Sequence, residues 1–265
     1  DPVGSARSDE CRIDALVQAW SVISGAAPAQ RAHQAMAAMQ RELVRERDGI
    51  IRLLAPAFDK TPNDPGYIKG YIPGVRENGG QYTHAATWAV RALAEMGERA
   101  SAARLAAMLS PVTHARSGNI QRYGGEPYVI AADVYGLPPH VGRAGWTWYT
   151  GSAGWYFRVL LESLLGFNIA GGSLVQLRPC IPRDWPGFEL HYRFPGGTRY
   201  VFTVRNTSGT SRTSDGSVED GMILIPITHD GGVHEVQIDA GDDVAPRYRS
   251  RIDESTAPLL RTTSL

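Results

Sequence analysis

The sequence predicts an α plus β protein in which a helical region precedes a small antiparallel β-sandwich. Up to about residue 170, apolar side chains recur at the spacing of amphipathic helices, and beyond it they alternate in short runs separated by Gly, Pro and Asp. Six candidate helices joined by long and short loops are typical of half of an α/α toroid. We therefore expect a partial barrel at residues 1–170, the sandwich at 171–245, and an irregular tail at 246–265.

Each helix is indicated by its periodicity and by the residue that ends it. In the first helix, Leu16, Val17 and Trp20 belong to one apolar stripe. The expected helices are Ile13–Ile23, ended by Gly25; about 28–47; a segment from after Gly79-Gly80 to Gly97; about 99–109, before Pro111; Glu126–Tyr135; and Ser152–Leu165, with Gly166 as its C-cap. The expected strands lie at 173–179, 188–194, 198–206, 222–228 and 234–240.

Charge and motifs exclude several classes of protein. Basic and acidic residues both number 27, so there is no net positive field to hold a nucleic acid. The sequence has no zinc-ligand spacing, no nucleotide P-loop and no GxSxG elbow. It has no apolar run that could span a bilayer. Its start does not read as a signal peptide, and it has two cysteines, so we expect a cytoplasmic location.

The first candidate site is the segment from Arg76 to His84, which follows a long loop rich in Pro and Gly. Two glycines precede a helix here, and free amides at a helix N-terminus suit an anion. His84 would donate to an oxyanion, while Arg76, Glu77 and Gln81 would contact substrate. The alternative is a capped helix with a buried, hydrogen-bonded histidine.

The second candidate is the segment 145–156. Thr150, Gly151 and Ser152 come just before or at a helix start and offer hydroxyls and amides to a phosphate. The aromatic residues around them, Trp148 included, offer flat faces for sugar rings. The alternative is an aromatic core with Ser152 as the N-cap.

The third candidate is Glu126 with Tyr128, followed by Asp133. A carboxylate beside a proline binds sugar hydroxyls or simply caps a helix. His140 and Arg143 lie on a later loop that we expect to face the same opening.

Four segments of this sequence, at 59–71, 76–86, 125–135 and 145–155, resemble the inverting glycoside phosphorylases, which include cellobiose and chitobiose phosphorylases. Within that family the chain looks most like the C-terminal phosphorylase domain of cyclic β-1,2-glucan synthase and β-1,2-oligoglucan phosphorylase. The resemblance covers about residues 1–205. It implies an (α/α)6 barrel followed by a β-sandwich, the same order that the periodicity predicts.

The resemblance also implies a reaction. The family cleaves β-glucosidic bonds with inorganic phosphate as co-substrate, releases an α-sugar 1-phosphate and requires no cofactor or metal. By likeness to the family motifs, His84, Thr150 and Gly151, with Ser152 following, would bind phosphate. Glu126 would lie near the acceptor sugar, beside the candidate substrate residues Arg76, Glu77, Gln81, Tyr128 and Trp148.

The family's catalytic Asp, in a Trp-Asn-Asp-Gly context, has no counterpart in this sequence. We therefore expect the C-terminal part of such an enzyme, acting on β-glucan and phosphate, without a catalytic residue of its own. It would associate with the missing N-terminal part or form a homodimer, and a full-length relative would be membrane-attached. A non-catalytic carbohydrate-binding or scaffold module remains an alternative. So does a hydrolase that uses Glu77, Glu126 or Asp133.

Overall fold

The computed structural model of the chain describes residues 3–60, 64–116, 120–244 and 246–252. These residues form two compact units that interleave along the chain. The first, which we call the helical unit, comprises the described residues of 1–93, 104–157 and 248–252. The second, which we call the sheet unit, comprises the described residues of 94–103 and 158–247. The sheet unit thus begins before residue 170, where the sequence pattern changes. Most of the expected irregular tail lies outside the described residues.

The regular elements are helices, short strands in the helical unit, and the strands of the sheet unit. The helices are α1 (Ala15–Ile23), α2 (Ala29–Leu43), α3 (Thr83–Glu95), α4 (Arg99–Leu109), α5 (Pro111–Arg116), α6 (Ile120–Tyr123) and α7 (Thr150–Arg158), which continues as a π-helical segment, Val159–Leu164. The short strands of the helical unit are β1 (Ile13–Asp14), β2 (Val44–Arg45), β3 (Ile50–Ile51), β4 (Leu54–Ala55), β5 (Gln81–Tyr82) and β6 (Asp133–Val134). The strands of the sheet unit are β7 (Phe167–Ala170), β8 (Leu174–Leu177), β9 (Gly187–Arg193), β10 (Arg199–Asn206), β11 (Arg212–Thr213), β12 (Ser217–Glu219), β13 (Met222–Pro226) and β14 (Val233–Ala240).

Helix α1 forms where expected but buries a different face. The Asp14 carboxylate caps it by accepting from the amides of Leu16 and Val17. Its buried residues are Ala15, Ala19 and Val22, whereas Leu16, Val17 and Trp20 are exposed. Small side chains let α1 approach α2 closely, so the large apolar stripe is left on the outside.

Helices α3 and α4 agree with the expected segments, whereas the second helix was expected to reach about residue 47 and is shorter. Helix α2 ends at Leu43 because Val44 turns into an extended conformation and pairs with Ile51. Helix α4 has the expected bounds, with Gly97 before it and Pro111 after it. The sixth expected helix corresponds to α7 together with its π-helical continuation.

The helix expected at Glu126–Tyr135 was wrong. This segment is extended at its end, where β6 pairs antiparallel with β5. The Ala132 carbonyl accepts from the Thr83 amide at 2.9 Å, and the Ala132 amide donates to the Trp146 carbonyl at 2.7 Å. Distant partners therefore satisfy the backbone groups that a helix would have paired locally.

The sheet unit consists of two four-stranded sheets in the orders β7-β8-β13-β12 and β9-β10-β14-β11. Apolar residues from both sheets, among them Val175, Phe202, Ile223 and Ile238, form one core cluster, as in a sandwich. The expectation of a fully antiparallel sandwich was wrong at one position, because β14 runs parallel to β10. Between them the chain passes through β12 and β13 of the other sheet and re-enters in the same direction.

The described structure is therefore an α plus β protein with helices and short strands first and the two sheets second. The (α/α)6 barrel remains a prediction about the helical unit.

Candidate functional site

The glycine pair before α3 serves packing. Gly79 has φ +81°, and a Cβ on Gly80 would lie 2.9 Å from the Arg76 carbonyl oxygen. The buried Asn78 side chain donates to the carbonyls of Phe58 and Tyr71, both at 2.8 Å. These contacts fix the loop that carries Arg76, and α3 begins only at Thr83. The Gly80 amide donates to the Arg76 carbonyl at 3.2 Å, and the anion-binding role expected for this segment remains a prediction.

Gln81 is also a structural residue. Its side chain is buried, accepts from the Ile51 amide at 2.9 Å and donates to the Thr83 hydroxyl at 3.2 Å. Both ends of the amide are thus used inside the fold. Gln81 does not line the pocket described below, and its expected contact with substrate remains a prediction.

His84 lies in the first turn of α3, with its ring 4.6 Å from the Trp88 ring and 6.0 Å from the Trp155 ring. Burial lowers the pKa of the imidazole, which favours the neutral form at neutral pH. Within the described residues its buried Nε2 has no hydrogen-bond partner. A neutral ring with an unpartnered nitrogen is suited to donate one hydrogen bond to a ligand.

The first turn of α7 lies beside that ring. A Cβ on Gly151 would be 3.9 Å from both Cε1 and Nδ1 of His84. Ser152 is only 5% exposed, and its Oγ has no hydrogen-bond partner in the part of the chain that is described. Helix α7 starts at Thr150, so its first amides lack partners within the helix. The positive end of the helix dipole adds to their attraction for an anion.

A pocket of about 340 Å³ joins these groups. Its walls contain all four residues expected to bind phosphate, together with Arg76, Asp133 and three residues to which the sequence analysis gave no role. The lining residues are Arg76, Tyr82, His84, Ala132, Asp133, Tyr149, Thr150, Gly151 and Ser152. The structure therefore brings the first two sequence motifs together across about 66 residues of chain, and the phosphate-binding role remains a prediction.

Arg76 brings a positive charge to this pocket. It has φ +49°, a left-handed conformation that is uncommon for a residue other than glycine. Its guanidinium lies 5.4 Å from the Tyr71 ring centroid and 6.0 Å from that of Trp146. Its Nε is 3.5 Å from a Glu77 carboxylate oxygen, an ion pair without hydrogen-bond geometry. Glu77 is thus held beside Arg76 and does not line the pocket.

Glu126 and Tyr128 of the third motif lie outside the pocket wall, whereas Asp133 lines it. The Trp148 indole donates to a Glu126 carboxylate oxygen at 2.8 Å, and its ring meets the Tyr128 ring edge-on at 6.2 Å. A hydrogen bond from its own backbone amide and the bond from Trp148 lower the pKa of Glu126, which favours the carboxylate form. Trp148 and Tyr128 are 65% and 73% exposed.

These two rings belong to a wider exposed surface that we call the aromatic patch, made of Tyr128, Trp146, Trp148 and Tyr149. The Trp146 and Tyr149 rings are 5.8 Å apart, and Tyr149 also lines the pocket. Clustered exposed aromatic rings are unusual on a protein surface and indicate a binding function. Rings of this kind stack on the apolar faces of sugars.

Other expected features lie elsewhere. His140 and Arg143 line a separate cavity with Gln121 and Arg122, so they do not face the pocket. A larger groove of about 710 Å³ contains Arg12, Arg41, Arg45 and Arg52 but neither His84 nor α7.

Across the described ranges, no group of His, Cys, Asp and Glu side chains is arranged to hold a metal ion. No helix in those ranges has the length and apolarity needed to cross a membrane.

Asp133 is the residue that sequence reasoning undervalued. It is 1% exposed, lines the pocket and accepts from the Trp146 amide at 2.9 Å. Burial raises the pKa of its carboxyl, and this outweighs the lowering by the Trp146 amide and by Arg76. The only sequence signal was an acidic residue within an apolar stretch.

Comparison with known proteins assigns the class. The model of the Glycosyl hydrolase 94 superfamily, catalytic domain, matches residues 1–166. That is more than half of the chain, and the protein belongs to this superfamily.

Individual relatives agree with the family. The chain is 48% identical over 207 residues to the cyclic beta-(1,2)-glucan synthase NdvB of Rhizobium meliloti (strain 1021), covering 78% of this chain and 7% of that protein. It is 31% identical over 244 residues to the solabiose phosphorylase of Paenibacillus borealis, covering 90% and 31%. It is 31% identical over 213 residues to the N,N'-diacetylchitobiose phosphorylase of Vibrio proteolyticus, covering 80% and 26%. The chain thus spans less than a third of the length of these relatives.

Proposed function

We propose that this chain contributes the phosphate-binding side of an inverting glycoside phosphorylase. The enzyme would act on β-glucans. We favour β-1,2 linkages because the relative that is 48% identical over 207 residues is named as a cyclic beta-(1,2)-glucan synthase. Inorganic phosphate would displace the leaving sugar and give α-glucose 1-phosphate. The observation that carries this proposal is the pocket in which His84 and Ser152 present unpartnered buried polar atoms beside the start of α7.

The pocket chemistry supports an oxyanion as ligand. Nε2 of a neutral His84 tautomer, Oγ of Ser152 and the first amides of α7 supply donors, and Arg76 supplies positive charge. Inverting cleavage places the nucleophile on the face of the sugar opposite the leaving oxygen. The pocket would hold phosphate on that face, and the neighbouring aromatic patch would hold the glucan.

Glu126, Glu77 and Asp133 are poorly suited to donate the proton that the reaction needs. Departure of the sugar oxygen needs a general acid. Glu126 has a lowered pKa, which favours its carboxylate form, and Glu77 lies beside Arg76 and does not line the pocket. Asp133 has a raised pKa but is buried and bonded to the Trp146 amide. We therefore propose that the acid comes from a segment beyond this chain, consistent with the absence of a Trp-Asn-Asp-Gly sequence.

The experiment combines binding and turnover. Calorimetric titration of the chain with inorganic phosphate should give binding that is lost in His84→Ala and Ser152→Ala. It should persist in the control variants His33→Ala, at an exposed position on α2, and Ser163→Ala, at a buried position in the sheet unit. Absence of phosphate binding by the unaltered chain would overturn the proposal.

Turnover is assayed with β-1,2-oligoglucan and phosphate by release of glucose 1-phosphate. The chain alone should give none, and adding the N-terminal part of a related catalytic domain should restore it. Turnover by the chain alone that is lost in Asp133→Asn or Glu126→Gln would show that its own carboxyls suffice, and the proposed external acid would be wrong.

The aromatic patch favours a second candidate, a non-catalytic carbohydrate-binding module. This function would produce oligosaccharide binding without phosphate binding. The same titrations, with oligosaccharide in place of phosphate, separate the two candidates.

A further inference from the structure

Two residues that line the pocket, His84 and Gly151, are each followed four residues later by a tryptophan. On α3 this residue is Trp88, and on α7 it is Trp155. Residues four apart lie on the same face of a helix, so each indole lies one turn beyond the residue that borders the pocket. Neither indole lines the pocket itself.

The two indoles are in contact with each other. The ring centroids of Trp88 and Trp155 are 5.6 Å apart at an interplanar angle of 83°, an edge-to-face arrangement that aromatic pairs prefer. Trp88 also meets the ring of Trp20, on α1, edge-on at 5.4 Å. Trp88 therefore connects three helices, α1, α3 and α7, one turn from the pocket.

Trp88 is also the nearer of the two indoles to the imidazole of His84. Its ring centroid is 4.6 Å from that of the imidazole, whereas the Trp155 ring is 6.0 Å away. The same imidazole borders α7, since a Cβ on Gly151 would lie 3.9 Å from its Cε1 and its Nδ1. The position of the imidazole thus depends on contacts with Trp88 and with the first turn of α7.

Trp88 makes these contacts with the faces and edges of its ring. Its indole Nε1 is buried and has no hydrogen-bond partner within the described ranges. A phenyl ring at this position would therefore lose no hydrogen bond seen in the structure, while an aliphatic side chain would lose the aromatic contacts with the imidazole and with Trp155.

We propose that Trp88 is a positioning residue: its indole holds the His84 imidazole next to the first turn of α7, so that the histidine and the α7 amides act on the same anion. The contact between Trp88 and Trp155 fixes α3 against α7 one turn from the pocket. The part of this inference that concerns the anion rests on the proposed function, whereas the arrangement of the rings does not.

Two substitutions of Trp88 separate the aromatic contact from simple filling of space. Trp88→Leu removes the ring and should weaken phosphate binding, measured by calorimetric titration, about three- to tenfold, the magnitude of an aromatic contact. Trp88→Phe keeps a ring and should retain most of the affinity. Unchanged affinity in Trp88→Leu, or an equal loss in both variants, would overturn the proposal.

Two controls account for lost stability and for the substitution itself. Met39→Ala, at a buried position on α2 outside the pocket wall, leaves a cavity and should lower the free energy of unfolding without changing phosphate affinity. Trp185→Leu makes the same change at an exposed position in the sheet unit and should not affect binding. If Met39→Ala weakened phosphate binding as much as Trp88→Leu, the loss would follow from general destabilisation, and the positioning role would be wrong.

A readout without phosphate tests the position of the imidazole directly. The NMR signal of the His84 Cε1–H, assigned by its loss in His84→Ala, is shifted by the ring current of the neighbouring indole. Trp88→Leu should move this signal, whereas Met39→Ala should not. In Trp88→Phe, nuclear Overhauser effects should still connect the imidazole to an aromatic ring at position 88.

The two readouts separate failure of this inference from failure of the proposed function. A His84 signal that is unchanged in Trp88→Leu would refute the positioning role, whether or not the chain binds phosphate. A signal that moves as expected in a chain that binds no phosphate would support the positioning of the imidazole and overturn the proposed function alone.

Discussion

Gly151 and His84 are neighbours across the pocket: a methyl group added to Gly151 would lie 3.9 Å from two atoms of the His84 ring. This is an ordinary contact distance, so the fold has room for alanine at this position. The methyl group would nevertheless occupy space between the α7 amides and the imidazole. It should therefore compete with a bound anion without disturbing the fold.

Gly151→Ala should weaken phosphate binding about tenfold without lowering the free energy of unfolding, since alanine favours helix over glycine by about 0.5–1 kcal/mol. Gly154→Ala is the matched control, because it lies in the same helix with nothing within 4 Å of its added Cβ. Calorimetric titration and thermal denaturation measure the two properties. Equal phosphate affinity in both variants would contradict the assigned position of the anion.

Trp148→Ala should weaken binding of β-1,2-oligoglucan about three- to tenfold, the magnitude of an aromatic contact, while phosphate affinity stays the same. The reason is that Trp148 belongs to the aromatic patch but not to the pocket wall. Trp185→Ala removes another exposed indole, from the sheet unit, and should change neither affinity. Loss of phosphate binding in Trp148→Ala would show that patch and pocket are not separate.

Acid should destabilise the helical unit through His114. Its ring is buried and stacked on Tyr123 at 4.4 Å, and burial, with a smaller effect from Arg122, lowers its pKa. The unfolded chain therefore binds the proton more readily, and the free energy of unfolding should fall as the pH drops below about 6.5. Urea denaturation between pH 7.5 and 5 should show a shallower fall for His114→Phe than for the unaltered chain. If the free energy of unfolding falls equally in His114→Phe and in the unaltered chain, groups other than His114 cause the effect. His33→Gln, which changes an exposed histidine, is the control and should behave like the unaltered chain.

The exposed stripe of α1 should cause self-association. Leu16, Val17 and Trp20 expose apolar surface on one helix, which favours burial against another molecule. Light scattering after size-exclusion chromatography should detect oligomers that Val17→Glu dissociates and Val112→Glu, at an exposed position on α5, does not. A monomer at all concentrations would contradict this prediction.

Local signals predicted the elements whose backbone groups are satisfied locally. Helix α4 is rich in alanine and lies between Gly97 and Pro111, so its bounds could be predicted from sequence. The segment 126–135 has fewer good helix formers, and its backbone forms hydrogen bonds with Thr83 and with the loop at Trp146. No local pattern reports such distant partners.

The candidate site shows the same division. His84 and the Thr150–Ser152 segment could be found because each carries a recognisable pattern next to a helix start. The hydrogen bonds of the Gln81 side chain with Ile51 and Thr83 could not be predicted, because only the folded chain brings these groups together. The bond from the Trp146 amide to the Asp133 carboxylate joins two separate segments, so no local pattern reports it.

The parallel pairing of β10 with β14 has a consequence for the order of assembly during synthesis. Strand β14 is the last strand in the described sequence, yet it lies between β10 and β11. Until residues 233–240 leave the ribosome, β11 has no neighbour in its sheet, and one side of β10 stays unpaired. The shared core also lacks Val236 and Ile238 until then. A premature stop before β14 would therefore split one sheet and leave an open strand edge available to other nascent chains.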